Sequence, residues 1–368
     1  MKKKNILVFH RVVAPYRIDF FNSLNQRFDM KLVMSWRNLK DQTFDYRKIE
    51  DQLSFRFCYC VREEMGTFRW IMSLWKMLSG TGQDIVYVGE YGIVTILAVL
   101  HRFLTGASYR IVSMVDDSYD MISGDHHFSR RHKYAVKLLT PFIDEIQTVE
   151  PRVEQWYREN YGKGIFFPII YDDTISLERL HRCIPISESY LQKYQLAGKK
   201  VVLFVGRLVQ IKNVQFAIEA FLRAQIPNAV FVVVGSGDME EELNRKYGEL
   251  DNVKFVGRFE GDELYAWYNV AHIFTLPSLL EPFGAVTNEA LVAGCKVLVS
   301  SHAGSNCLVQ DGVNGYVIDP EDMAGYTEKL LELMQSVEPA DHIYVKDNLM
   351  QNTFNEYFAK LYTRLEEL

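Results

Sequence analysis

KKVVLFVGRLVQIKNVQFAIEAFLRAQIPNAVFVVVG, residues 199–235, decides the fold. VVLFV and VFVVV are unbroken apolar runs, the mark of strands buried on both faces. Between them NVQFAIEAFLRA sets apolar residues three and four apart, which makes a helix with one apolar face. A strand, a helix and a second strand of this kind form a parallel pair joined by a crossover helix.

The same alternation runs outward in both directions. Downstream, NVKFVG (252–257), HIFTLP (272–277), KVLVS (296–300) and GYVID (315–319) continue the strands. Upstream, strands are expected at 5–10, 31–35, 53–59, 84–88, 109–115, 145–149 and 164–168, with helical patterns such as FRWIMSLWKML and RRHKYAVKLL between them. A chain of 368 residues is too long for one ordinary core. The reading is an α/β protein of two Rossmann-like parallel-sheet domains facing across a cleft. The first spans 1–170, a weakly patterned linker 171–198, and the second 199–340. A C-terminal helix, about 345–368, is expected to pack back on the first domain.

Composition fits a globular chain, 48% hydrophobic and 24% charged with a net charge of −6. The charge is uneven: residues 1–170 carry 24 Lys and Arg against 19 Asp and Glu, the remainder 17 against 28. A basic first half suits an anionic neighbour such as a membrane surface; a nucleic-acid partner is not expected. The apolar run after MKKK is too short for a signal peptide, and GIVTILAVL (92–100) is far short of a membrane span. Five cysteines show no zinc-like spacing and are read as reduced. The expected location is cytoplasmic, with peripheral attachment at the inner face of a membrane. The stripe RWIMSLWKML (69–78) joins two Trp to Arg and Lys, as interfacial helices do. Packing on the sheet explains it as well and is favoured.

In open parallel sheets ligands sit beyond the carboxyl ends of the strands. After VVLFV comes GRLVQIKN, where Gly206 permits a sharp turn and Arg207 and Lys212 flank it. After FVVV comes GSGDMEE, where Gly235 and Gly237 suit close approach of backbone to a ligand. The third glycine of a dinucleotide fingerprint is missing there. After IFTLPS comes LEPFGAVTNEALVAG (280–294). Pro282 is placed near a helix start, Gly284 leaves N–H groups bare at its mouth, Glu289 falls on the helix and Gly294 ends it. Glu289 is able to accept hydrogen bonds from a ribose diol. Loop residues His126 and His127, with only Asp125 near, are not read as a metal site.

GRLVQIK, EPFGAVTNE and DGVNGYVIDP (311–320), in that order, resemble the retaining family-four glycosyltransferases of GT-B fold. The two glutamates separated by seven residues, Glu281 and Glu289, match that family's signature. The likeness is strong over about 199–335 and thinner before it, where FHRVVAPYRIDFFNSL is similar to the acceptor-domain start of some bacterial members. It implies transfer of a sugar from a nucleotide-diphosphate sugar to a hydroxyl of a glycan or lipid-linked glycan, as in bacterial surface polysaccharide biosynthesis. It further implies that Glu289 holds the ribose, that Glu281 touches the donor sugar, and that Arg207 and Lys212 grip the diphosphate as catalytic cations. Gly206, Gly235, Arg258 in the GRFEG loop, Phe283, Gly284 and Ala285 complete the implied donor site. No Asp-x-Asp occurs, so no catalytic metal is inferred, and no cofactor beyond the donor substrate.

Three places depart from the family pattern. HRVVAPYR replaces a Gly-Gly turn, Asp116 stands where a His is usual, and AGSNC puts Cys307 in an acid's place. His10, Arg17, Glu90, Asp116 and Asp117 lie at first-domain strand ends and are the acceptor-side candidates. The competing readings are a nucleotide-sugar epimerase on the same scaffold and a non-catalytic binding protein.

Overall fold

The computed structural model describes residues 3–38, 46–80, 82–119, 122, 130–339 and 341–368. Asp125, His126 and His127 lie outside them. The chain divides into two units, residues 1–169 with 355–368, and residues 170–354.

The first unit holds a parallel sheet of seven strands: β1 (Asn5–His10), β2 (Asp29–Met34), β3 (Arg56–Tyr59), β4 (Ile85–Gly89), β5 (Arg110–Val115), β6 (Glu145–Thr148) and β7 (Ile165–Phe166). Their order is β3-β2-β1-β4-β5-β6-β7. The central strands are sealed, with Val8, Val86, Val88, Ile111 and Val112 fully buried. Winding goes outward one way from β1 and then restarts on its other side at β4. The loops after β1 and β4 are therefore neighbours although 74 residues separate their strands.

The helix Phe354–Glu367 belongs, but for its first residue, to this unit. Tyr357 meets Phe166 edge-on at 5.7 Å, and Arg364 Nε donates to buried Glu145 at 2.5 Å. The helix begins at 354, later than the sequence suggested. Lys346 is drawn into the second unit instead. Its ammonium donates to the carbonyls of Tyr268, Asn269 and Ala271 at 3.2, 2.9 and 2.9 Å, capping the end of the helix Gly261–Val270.

The second unit has six parallel strands: β8 (Lys200–Val205), β9 (Ala229–Val234), β10 (Val253–Gly257), β11 (Ile273–Leu276), β12 (Lys296–Ser300) and β13 (Gly315–Ile318). The order β10-β9-β8-β11-β12-β13 repeats the device, with the reversal now between β8 and β11.

Residues 171–198, expected as a linker, are part of this unit. They form the helices Asp173–Arg182 and Ile184–Lys193. Asp172 caps the first, accepting from the N–H groups of Thr174 and Ile175 at 2.9 and 3.3 Å. Leu180, Cys183, Tyr190 and Leu191 are buried, and the Tyr190 ring stacks on Trp267 at 4.5 Å. The apolar pattern is weak because these helices pack partly through polar groups. Ser187 Oγ donates to the Ala266 carbonyl at 3.0 Å, and Asn269 Nδ2 to the Leu180 carbonyl at 2.9 Å.

Candidate functional site

The point where a sheet reverses its winding opens a crevice at the carboxyl ends of its strands. In the second unit the loop after β8 and the loop after β11 meet there. Leu279 N–H donates to the Ile211 carbonyl at 2.9 Å, tying one loop to the other. The β8 loop ends in a short 3₁₀ turn, Gln210–Lys212, followed by Asn213 at φ +53. Asn213 holds that turn in place by donating from Nδ2 to the Pro320 carbonyl at 2.9 Å. Lys212 is thereby presented to Glu281, and the two form a largely buried ion pair. Arg207, at the start of the same loop, is exposed, and its side chain pairs with nothing among the described residues. One cation is thus held by an acid and one is free.

The Glu281 loop is packed as tightly as a strand pair. Glu281 N–H donates to His302 at 3.1 Å, Gly304 N–H to Glu281 at 3.1 Å and Ser305 N–H to Phe283 at 2.7 Å. Two glycines make this possible. A Cβ on Gly304 would lie 2.3 Å from the Pro282 carbonyl oxygen; one on Gly284, at φ +93, would lie 2.5 Å from Leu276 Cδ2. Phe283 is buried beneath the loop. The helix begins at Val286, not at Pro282, because residues 282–285 are spent on this packing. Its two turns end at Val292, with Gly294 at φ +72 just beyond. The N–H groups of Phe283, Gly284 and Ala285 are taken by no carbonyl among the described residues.

Glu289 is buried on that short helix and accepts from the Tyr268 hydroxyl at 2.6 Å. Burial pushes its carboxyl up; hydrogen bonds from Tyr268 and Tyr171 and the charge of Arg179 work against that. Tyr171 is fixed in turn, its N–H donating to Asn288 Oδ1 at 3.0 Å. These two tyrosines were missed in the sequence. Tyr171 sits in the weakly patterned stretch, and nothing local marks either as a partner of Glu289.

Gly235 and Gly237 are required by the neighbouring backbone. A Cβ on Gly235 would sit 1.8 Å from the Gly206 carbonyl oxygen, and one on Gly237 2.5 Å from that of Leu208. Gly206 itself has no positive φ; what limits it is the Phe204 ring, 3.2 Å from where its Cβ would be. Arg258 pairs with Glu260 of its own loop and with neither Lys212 nor Glu281.

The first unit has its own set at the equivalent reversal. Arg11, in the loop after β1, reaches Glu90, after β4, at 3.3 Å. Glu90 is a non-glycine at φ +49, held there by its N–H on Met114 (2.8 Å) and by Thr95 and Ser113 hydroxyls on its carbonyl (2.9 and 2.8 Å). Arg17 is buried and ion-paired to Asp116. His10 Nδ1 lies 2.8 Å from the Val12 carbonyl, so that nitrogen carries the proton. Burial, then the charge of Arg17, lowers the His10 pKa to about 4, so the ring is neutral at pH 7. Asp117 is buried, and burial with the charges of Glu90 and Asp116 raises its pKa to about 7. The five acceptor-side candidates therefore form one cluster.

Residues 187–346, all within the second unit, match the family model described as Glycosyl transferases group 1. The chain is 33% identical over 174 residues to an uncharacterized glycosyltransferase of Methanocaldococcus jannaschii, covering 43% of this chain and 45% of that one. It is 26% identical over 286 residues to the UDP-Gal:alpha-D-GlcNAc-diphosphoundecaprenol alpha-1,3-galactosyltransferase of Escherichia coli, covering 72% and 69%. Against the curated relatives at 31–36% identity it spans roughly half of their length. Anabaena HepE in complex with UDP and glucose superposes with a TM-score of 0.75 at 16% identity, over 99% of this chain and all of that one. The two sheets, of seven and six parallel strands, are thus those of the GT-B fold.

Proposed function

We propose that the protein is a retaining, metal-independent glycosyltransferase of family four. It moves a sugar from a nucleoside-diphosphate sugar to a hydroxyl of a glycan or lipid-linked glycan in surface polysaccharide synthesis, at the cytoplasmic face of a membrane. One observation carries this reading. The reversal of the second sheet brings Lys212 and Glu281 together at the end of the loop that Arg207 begins, inside the stretch that matches the family model.

The leaving group in such a transfer departs with growing negative charge. Arg207, Lys212 and the free N–H groups of Phe283–Ala285 offer fixed positive ends to it, and they help most when that charge is fullest, in the transition state. Glu281 holds Lys212 in place and lies where a donor sugar would meet the phosphate. Glu289, braced by Tyr268, takes the ribose hydroxyls. The acceptor follows the named substrate of the Escherichia coli relative.

Nucleotide-sugar epimerisation is the second reading, favoured by the buried acid Asp117 with its raised pKa. One NMR assay tests both: donor, acceptor and enzyme with and without excess EDTA, with a parallel sample lacking acceptor. The proposal expects an unchanged anomeric configuration and EDTA-resistant turnover. An inverted anomer refutes retention. Loss of activity restored by manganese refutes the cation clamp. Isomerised donor in the acceptor-free sample establishes the epimerase.

A further inference from the structure

On one side of the first sheet the helices Thr67–Leu78, Ile93–Thr105 and Arg130–Leu139 lie side by side, the middle one packed against both others. Their inner faces share one core, through Trp70, Leu74, Leu78, Ala98 and Val136. Their outer faces are unusual for a protein surface. Along the middle helix Ile93, Ile96, Leu100, Phe103 and Leu104 are exposed at helical spacing, Phe103 to 81%. Phe68 and Met72 extend the apolar surface on one flank, and Tyr134, Leu138 and Phe142 on the other. Scattered exposed apolar residues are ordinary; a run shared by three adjacent helices is not.

The charge on these helices is equally one-sided. They carry seven Lys and Arg and no Asp or Glu, in a chain where acids outnumber bases 47 to 41. Arg102 is used internally, on Asp144. Arg69, Lys76, Arg130, Arg131, Lys133 and Lys137 pair with no acid among the described residues. The two tryptophans of the sequence stripe are not part of this surface: Trp70 is buried, its indole N–H on the Cys60 carbonyl at 3.0 Å, and Trp75 packs on His101. The outward-facing residues are others, which periodicity alone did not single out.

We propose that this three-helix face docks on an anionic phospholipid bilayer, the apolar residues entering the interface and these six cations lying at headgroup level. Charge selects this occupant over a second copy of the chain. A two-fold contact through the same face would set six unpaired cations against six more, at a cost that no acid on these helices offsets. No helix among the described residues is long and apolar enough to span, so attachment through these helices is to the surface. The face uses none of the donor-site residues, so vesicle docking and nucleotide binding fail separately.

The test is co-sedimentation of the full chain with phosphatidylcholine vesicles containing 0 or about 30% phosphatidylglycerol, at low and high salt. Binding is expected to anionic vesicles only and to weaken with salt. Phe103→Ser with Leu104→Ser should weaken it about tenfold, and Arg131→Glu with Lys137→Glu at least as much. These positions are exposed, so the melting temperature and UDP binding should stay at wild-type values. Absence of binding to anionic vesicles, or binding that both double variants retain, overturns the proposal. So does a dimer in solution that the Phe103 and Leu104 changes dissociate.

Discussion

Both units reverse their winding at one point of the sheet, between β1 and β4 in the first and between β8 and β11 in the second. The same topology is furnished differently. At β8/β11 the loops are zipped together by backbone hydrogen bonds and glycines, leaving one paired cation, Lys212, and one free, Arg207. At β1/β4 an exposed Arg11–Glu90 pair stands over buried groups: Arg17 on Asp116, neutral His10, and Asp117 held toward its protonated form. A rigid rim with available positive charge suits an invariant anionic group such as a diphosphate. A buried, titratable cluster suits proton handling and hydroxyl recognition. The topology supplies two crevices, and side chains decide their use.

The widest separation between the two should appear in turnover. Lys212→Ala removes a cation from the β8/β11 rim and leaves Glu281 without its partner. It should lower kcat by roughly 10²-fold, the typical loss for one charge-stabilising donor. Steady-state kinetics with a verified donor measures it; wild-type turnover would break the contrast at its strongest point.

A smaller effect divides the two glutamates. Glu289→Gln replaces a buried carboxylate that accepts from Tyr268 and Tyr171, and should weaken binding of the nucleoside diphosphate about tenfold, the worth of one hydrogen bond to a charged group. Glu281→Gln should leave that affinity near wild type while sugar transfer falls. Calorimetric titration of both variants is the measurement. Equal losses of nucleotide affinity would merge the two roles.

The smallest effect lies in the first unit and is read in stability. A carboxyl whose folded pKa exceeds its unfolded value, near 4, contributes fully below that value and loses the contribution as pH rises through about 7. Asp117→Asn should therefore melt several degrees above wild type at pH 8, the gap closing toward pH 4. A gap independent of pH would mean that Asp117 ionises freely.

Much of this was legible in the chain. The strands of the described residues lie where strands are expected, most plainly β8 and β9, whose unbroken Val, Leu and Phe runs have no polar side to blur them, while β3 (RFCY) and β6 (EIQT) carry polar residues. Gly206, Lys212, Glu281 and Glu289 are visible as loop and helix positions beside those runs. What was not legible depends on contacts distant in sequence. Strand order places Ile211 beside Leu279, and neither local sequence says so. The sequence also does not show that Gly235 packs so closely on the Gly206 carbonyl that no Cβ fits. The helices of 173–193 pack through serine and asparagine bonds that carry no apolar period.

Arg207 and Arg11 occupy equivalent places, each in the loop after the first strand of its sheet, and both are exposed. Measuring the affinity of Arg207→Ala and Arg11→Ala for whichever of UDP, GDP and ADP the wild type binds, side by side at one ionic strength, tests directly the proposal that the nucleotide is held by the second unit. The expected result is a loss of about tenfold or more for Arg207→Ala and a wild-type value for Arg11→Ala. A loss confined to Arg11→Ala would place the nucleotide in the first unit and contradict the assignment.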